Sequence, residues 1–178
     1  EPVAGPACFF VYYETLDSVA HEYGPHSEQY RAELYSLLHL LEQEFMGKLT
    51  PAARKDTLLL VTADHGQISV NIDRCIYLDA FPEVTAALRR DKENKPIPAW
   101  GSPRAVFLAL QEGRQDEVQT FLTKRLEGIA KVTPSRQLDA AGLFGDGIPH
   151  PEFLHRIGDL TIIPQGNNTV WYQYQQGK

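Results

Sequence analysis

Cysteine is nearly absent. The 178 residues hold two, Cys8 and Cys75, with no metal-type spacing between them, and Cys8 opens the apolar run CFFVYY, so a buried free thiol is expected there and no disulfide framework. Long apolar stretches are also missing: none reaches the length of a membrane span, and the first residues carry no basic-then-apolar signal pattern. Positive charge is in deficit, with 17 Lys and Arg against 23 Asp and Glu and a net charge of −6, which leaves no electrostatic footprint for a nucleic-acid backbone and excludes duplex binding. There is no glycine-rich phosphate loop, no G-x-S-x-G elbow, no dinucleotide fingerprint and no internal repeat.

What remains is ordinary globular material. A hydrophobic share of 43% with 22% charged residues supports a folded core and argues against disorder. An acidic chain can still take an anionic substrate where metal ions reverse the local field.

The apolar runs Ala7 to Tyr13 (ACFFVYY) and Thr57 to Thr62 (TLLLVT) predict two buried strands. Between them Tyr30, Leu34, Leu37, Leu38, Leu41 and Phe45 recur at helical spacing, with Ser27 as N-cap and Gly47 as the stop, and Thr50-Pro51 opens a further short helix. Uniformly apolar strands around a helix predict a parallel α/β sheet covered on both faces. The charged, proline-containing stretch Lys92 to Pro98 separates this part from a second one. There, Ala105 to Leu110 reads as strand, Gln115 to Leu126 as a helix burying Val118, Phe121, Leu122 and Leu126, and Ile129 to Val132 as strand. Ser135 caps a short helix to Ala141, and Asp159 to Ile163 with Val170 to Tyr174 predict a closing hairpin around QGNN. His39 is expected at the core boundary of the long helix, Arg156 is expected to pair with Asp159, and Trp100 and Trp171 are expected to pack rather than to stack a base.

Chemistry-bearing residues fall just past the two predicted strands. CFFVYY runs into ETLDSVAH, setting Asp17 and His21 four residues apart; TLLLVT runs into ADHG, setting Asp64 beside His65. The carboxyl edge of parallel strands is where open α/β sheets build their sites. Neighbouring strands of a βαβ unit would bring both clusters to one place, and two carboxylates with two imidazoles suit Zn²⁺ above all, with Mn²⁺ as the alternative. Each cluster also has a plain structural reading: Asp17 and His21 as a solvated helix-end pair, Asp64 as an N-cap with His65 in its turn.

The run YETLDSVAHEYGPHS, an amphipathic helix and then TLLLVTADHGQ resemble the metal-binding half of the type I phosphodiesterase/nucleotide pyrophosphatase family, in the alkaline phosphatase superfamily. By position, that resemblance makes Asp17 and His21 ligands of one divalent ion and Asp64 and His65 ligands of a second, with a small phosphate ester or nucleotide as substrate. Ala20 stands where members often carry glycine. The family's upstream aspartate with its Thr or Ser nucleophile has no counterpart before Asp17; Thr15 and Thr62 are the nearby hydroxyls and are taken as structural. The histidine that completes one metal site in the family has His150 and His155 as positional candidates, neither in the family's context, so both ends of the catalytic domain are expected to lie outside the chain.

The expectation is therefore a partial alkaline-phosphatase-like α/β fold, a parallel sheet flanked by helices with a smaller α+β subdomain. Residues 1–98 would carry the metal-binding part and 99–178 the subdomain. Rival readings are another enzyme of the superfamily (phosphomonoesterase, phosphonate hydrolase, sulfatase-like enzyme or phosphate mutase) and a non-catalytic module retaining the fold.

Overall fold

The structure, a computed structural model, describes residues 5–174. The chain divides into two compact units, Glu1–Ser69 and Val70–Lys178.

The first unit is helical where it is ordered into elements. Helix α1 (Thr15–Tyr23) ends at Gly24, whose φ of 90° suits glycine and turns the chain out while its N–H still reaches Ala20 O at 2.9 Å. Ser27 then does two jobs: its Oγ donates to Gly24 O at 2.8 Å and accepts from the Tyr30 N–H at 3.0 Å, capping α2 (Glu28–His39) as expected. The helical path does not stop at Gly47; it passes through a π turn (Leu40–Phe45) and a 3₁₀ turn (Met46–Lys48) that contains that glycine. Thr50 caps α3 (Pro51–Lys55) through a 3.2 Å bond from the Ala53 N–H, with Pro51 at the first helical position.

The runs 7–13 and 57–62 form neither a helix nor a hydrogen-bonded strand among the described residues. Phe9 and Phe10 are 83% and 89% exposed, and Leu58 and Leu60 are 80% and 78% exposed. The expected parallel pairing of these two strands is thus corrected: strand composition is local, whereas a ladder needs a neighbour within hydrogen-bond reach. For the same reason Cys8 is free but exposed rather than buried, and His39 is exposed rather than at a core boundary. Ala20 is the one fully buried side chain among the described residues of this unit.

The second unit holds the core. A four-stranded antiparallel sheet runs in the order β2 (Trp100–Ser102), β3 (Ala105–Leu108), β5 (Leu160–Pro164), β4 (Ala130–Pro134). Helix α5 (Gln115–Arg125) contributes Val118 and Leu122, followed by Leu126, to a cluster with Val106, Leu108, Val132 and Ile162. A short parallel pair joins β1 (Ile76–Tyr77) to β6 (Val170–Trp171). The expected β5–β6 hairpin is corrected by that pairing. The turn after β5 exists, with the Asn168 N–H on Gln165 O at 3.1 Å, but β6 takes β1 as its neighbour. Short helices α4 (Pro82–Thr85), α6 (Ser135–Ala140) and α7 (Pro151–Arg156) complete the unit.

Ser135 is buried and does not cap α6: its Oγ donates to Ile157 O at 2.7 Å and lies 2.8 Å from Thr161 Oγ1. Asp159 pairs with Arg89 at 2.8 Å, not with Arg156, and also accepts from the Leu110 N–H at 2.7 Å. The Trp100 indole N–H donates to Arg156 O at 2.8 Å, the packing role expected of it. Among the described residues no helix is long and apolar enough to cross a membrane. A mixed α/β fold with parallel and antiparallel pairing, flanked by helices, results.

Candidate metal centre

Helix α1 sets Asp17 and His21 one turn apart, where side chains at i and i+4 share a face. Their Oδ2 and Nε2 atoms lie 3.5 Å apart, and both side chains are open to solvent. Past the second apolar run, Asp64 sits at a bend, and its Oδ1 accepts from the His65 N–H at 3.0 Å. No helix follows, so an N-cap role for Asp64 does not arise. Asp64 Oδ2 and His65 Nε2 are 3.7 Å apart. The other ring nitrogen, His65 Nδ1, is 3.2 Å from Gly66 O. With the proton on Nδ1 that contact is a hydrogen bond, and Nε2 turns its lone pair outward, the tautomer a metal-binding histidine uses.

Donor spacing is the test of whether these residues suit an ion. Two ligands at about 2.0–2.2 Å from one tetrahedral cation lie roughly 3.3–3.6 Å apart. The separation in the first pair falls in that window, and the second lies just beyond it. The spacing of the first pair thus fits two ligands of one ion and that of the second is slightly wide, while the donor types in both, carboxylate and imidazole, are those that suit Zn²⁺ or Mn²⁺. Among the described residues, however, no three His, Cys, Asp or Glu side chains converge as a metal-holding group. The structure brings the four candidate residues together as two Asp–His pairs.

The side chain that links them is Gln67, three residues past Asp64 in the same loop. Its amide Nε2 donates to Asp17 Oδ1 and approaches Asp17 O at 3.4 Å. Sequence reasoning singled out D-H-G and stopped one residue short. The only signal was position, since a glutamine there carries no charge or ligating nitrogen to mark it.

The remaining candidates lie elsewhere. His150 Nδ1 accepts from the Glu152 N–H at 3.2 Å and caps α7; His155 is exposed in the last turn of the same helix. Thr15 is the first residue of α1, and Thr62 belongs to the second apolar run. Tyr13 donates its hydroxyl to Glu33, and that bond raises the phenol above its ordinary value. A cleft of about 310 Å³ in the second unit is lined by Gln111 and by Arg89 and Asp159, the ion pair already described.

Comparison with known proteins bears on this geometry. The sequence matches the type I phosphodiesterase/nucleotide pyrophosphatase family over residues 3–178. No curated protein matches the chain by sequence. Two solved structures of murine ectonucleotide pyrophosphatase/phosphodiesterase 5 (ENPP5, NPP5) are similar in fold. One, an inactive form in complex with AMP, is 19% identical with a TM-score of 0.57 over 89% of this chain and 38% of that one. The other is 20% identical with a TM-score of 0.55 and the same coverage. The chain thus spans 38% of the length of these structures, and at such identity the likeness speaks for the fold. With nearly the whole sequence matched, the chain belongs to the type I phosphodiesterase/nucleotide pyrophosphatase family.

Proposed function

We propose that the protein to which this chain contributes hydrolyses phosphate diesters or nucleotide pyrophosphates at a two-metal site, with Asp17 and His21 holding one divalent ion and Asp64 and His65 the other. The observation that supports this reading best is the 3.5 Å donor spacing of Asp17 and His21, beside an Asp64–His65 pair at 3.7 Å, in a chain of this family. A nucleotide as substrate is supported by the AMP complex of the murine relative.

Zn²⁺ is the first expectation and Mn²⁺ the second, since carboxylate with imidazole suits both. When bound, two such ions supply charge neutralisation on the attacking and leaving oxygens of a phosphoryl transfer. The protein's own residues prepare for that. Asp17 and Asp64 provide compensating negative charge, while His21 and His65 bind as neutral rings and add none. With its proton on Nδ1, the His65 ring donates to Gly66 O and leaves Nε2 free for an ion. Residues 1–16 hold no aspartate and no serine, and only Thr15, so the family's nucleophile pair has no counterpart among them and the 178-residue chain alone is expected to turn over weakly or not at all.

The test uses a longer chain of the same protein with paired chromogenic diester and monoester substrates. The expected result is preferential diester hydrolysis that falls at least 100-fold on Asp64→Ala, the scale on which loss of a group stabilising transition-state charge is felt (about 10²–10³). A monoester preference would favour a different branch of the superfamily. Robust diester turnover by the 178-residue chain itself would overturn the expected weakness.

A further inference from the structure

We propose that Gln67 is a positioning residue, fixing the Asp17 carboxylate so that its free oxygen and the His21 ring face one ion, and tying the D-H-G loop to helix α1. This rests on the metal-centre reading above.

The two oxygens of Asp17 are divided between two partners. Oδ1 takes the Gln67 amide N–H, while Oδ2 lies 3.5 Å from His21 Nε2. A hydrogen bond to one oxygen favours one rotation of the carboxylate, with Oδ2 presenting its lone pairs beside the imidazole. A second contact, from the same amide to the Asp17 backbone oxygen at 3.4 Å, aligns the glutamine along the first turn of α1. These bonds span 50 residues of sequence and are, among the described residues, the hydrogen bonds joining α1 to the loop of Asp64 and His65. Gln67 is half-buried in a loop whose other members, from Leu58 to Gly66, are exposed. A partly buried side chain is the exception there.

The residue type fits the task. A neutral amide donates to a carboxylate without cancelling its charge, so Asp17 keeps its full attraction for a cation. Lysine at this position would supply a donor but compete with the ion; glutamate would repel Asp17; methionine would fill the space with no donor at all. Groups that orient a metal ligand from behind typically change affinity 10–100-fold when removed.

The experiment is calorimetric titration of the chain with zinc chloride, comparing wild type with Gln67→Met and Gln67→Lys. A metal-free NMR measurement of the Gln67 side-chain amide, with and without Asp17→Asn, accompanies it. The expected result is that Gln67→Met weakens zinc binding about 10-fold with an unchanged circular dichroism spectrum, and that Gln67→Lys does not restore it. The amide resonance should move on Asp17→Asn. Zinc binding by Gln67→Met within twofold of wild type overturns the proposal and leaves the metal centre standing. If wild type binds no zinc, the metal-centre reading falls, and the amide resonance decides: unmoved by Asp17→Asn, it overturns the Gln67–Asp17 link as well.

Discussion

Gly158 shows how a single backbone position can hold a sheet together. It stands between α7 and β5 with φ of 62°, and a Cβ there would come 2.5 Å from Leu108 O and 3.1 Å from the Trp100 ring. Neither neighbour is free to withdraw, because Leu108 O already accepts from the Asp159 N–H at 2.7 Å. Gly158→Ala is therefore expected to cost about 1–3 kcal/mol from the backbone conformation alone, with the clash adding to it. Chemical denaturation followed by the fluorescence of Trp100 and Trp171 measures the loss. Single residues were legible in the sequence where their partners are local. Ser27 caps the helix it precedes, as its spacing dictates, and Thr50 does the same. Where the partner is distant the local guess fails: Asp159 finds Arg89, 70 residues earlier, rather than Arg156 three residues away.

At the scale of elements, α5 and strands β3, β4 and β5 were readable because their apolar periodicity is complete and the layer they pack on lies in the same unit. The β5–β6 hairpin was misread because a turn signal specifies a change of direction, not the strand that follows as neighbour. That β1–β6 pairing has a consequence for pH. Tyr172, next to β6, has its phenol raised above the ordinary value of 10.0, first by burial and then by Asp79, whose carboxylate also accepts from the Gln173 N–H at 2.8 Å. A phenol whose folded value is raised contributes stability that is complete below the unfolded value and is lost as pH climbs through the folded one. That contribution to the second unit should therefore be held up to about pH 10 and lost above. Absorbance at 295 nm, followed with near-ultraviolet circular dichroism, should show ionisation of Tyr172 and loss of packing together. Ionisation of every tyrosine with no change in dichroism would contradict it.

For the molecule as a whole, the two units present opposite balances. Residues 70–174 bury a continuous apolar cluster, whereas residues 5–69 expose the very runs that composition marks as strands. The α/β class and the family were legible because the spacing of D-x-x-x-H and D-H-G survives in one dimension. The pairing of the strands that precede those motifs was not, since it depends on neighbours that no local pattern names. The same holds for the candidate site. Asp17 with His21 and Asp64 with His65 are proposed from their own spacing, while the bond from Gln67 to Asp17 was visible only once the chain was folded.

The central claim is that these two pairs bind metal, and zinc stoichiometry tests it most directly. Elemental analysis and zinc titration should be run on the wild-type chain beside Asp17→Ala and Asp64→Ala. Binding of one or two ions by wild type, with about one lost in each variant, is the predicted result. Zinc binding that is identical in all three chains would contradict the account, because the ion would then be held by residues other than those proposed.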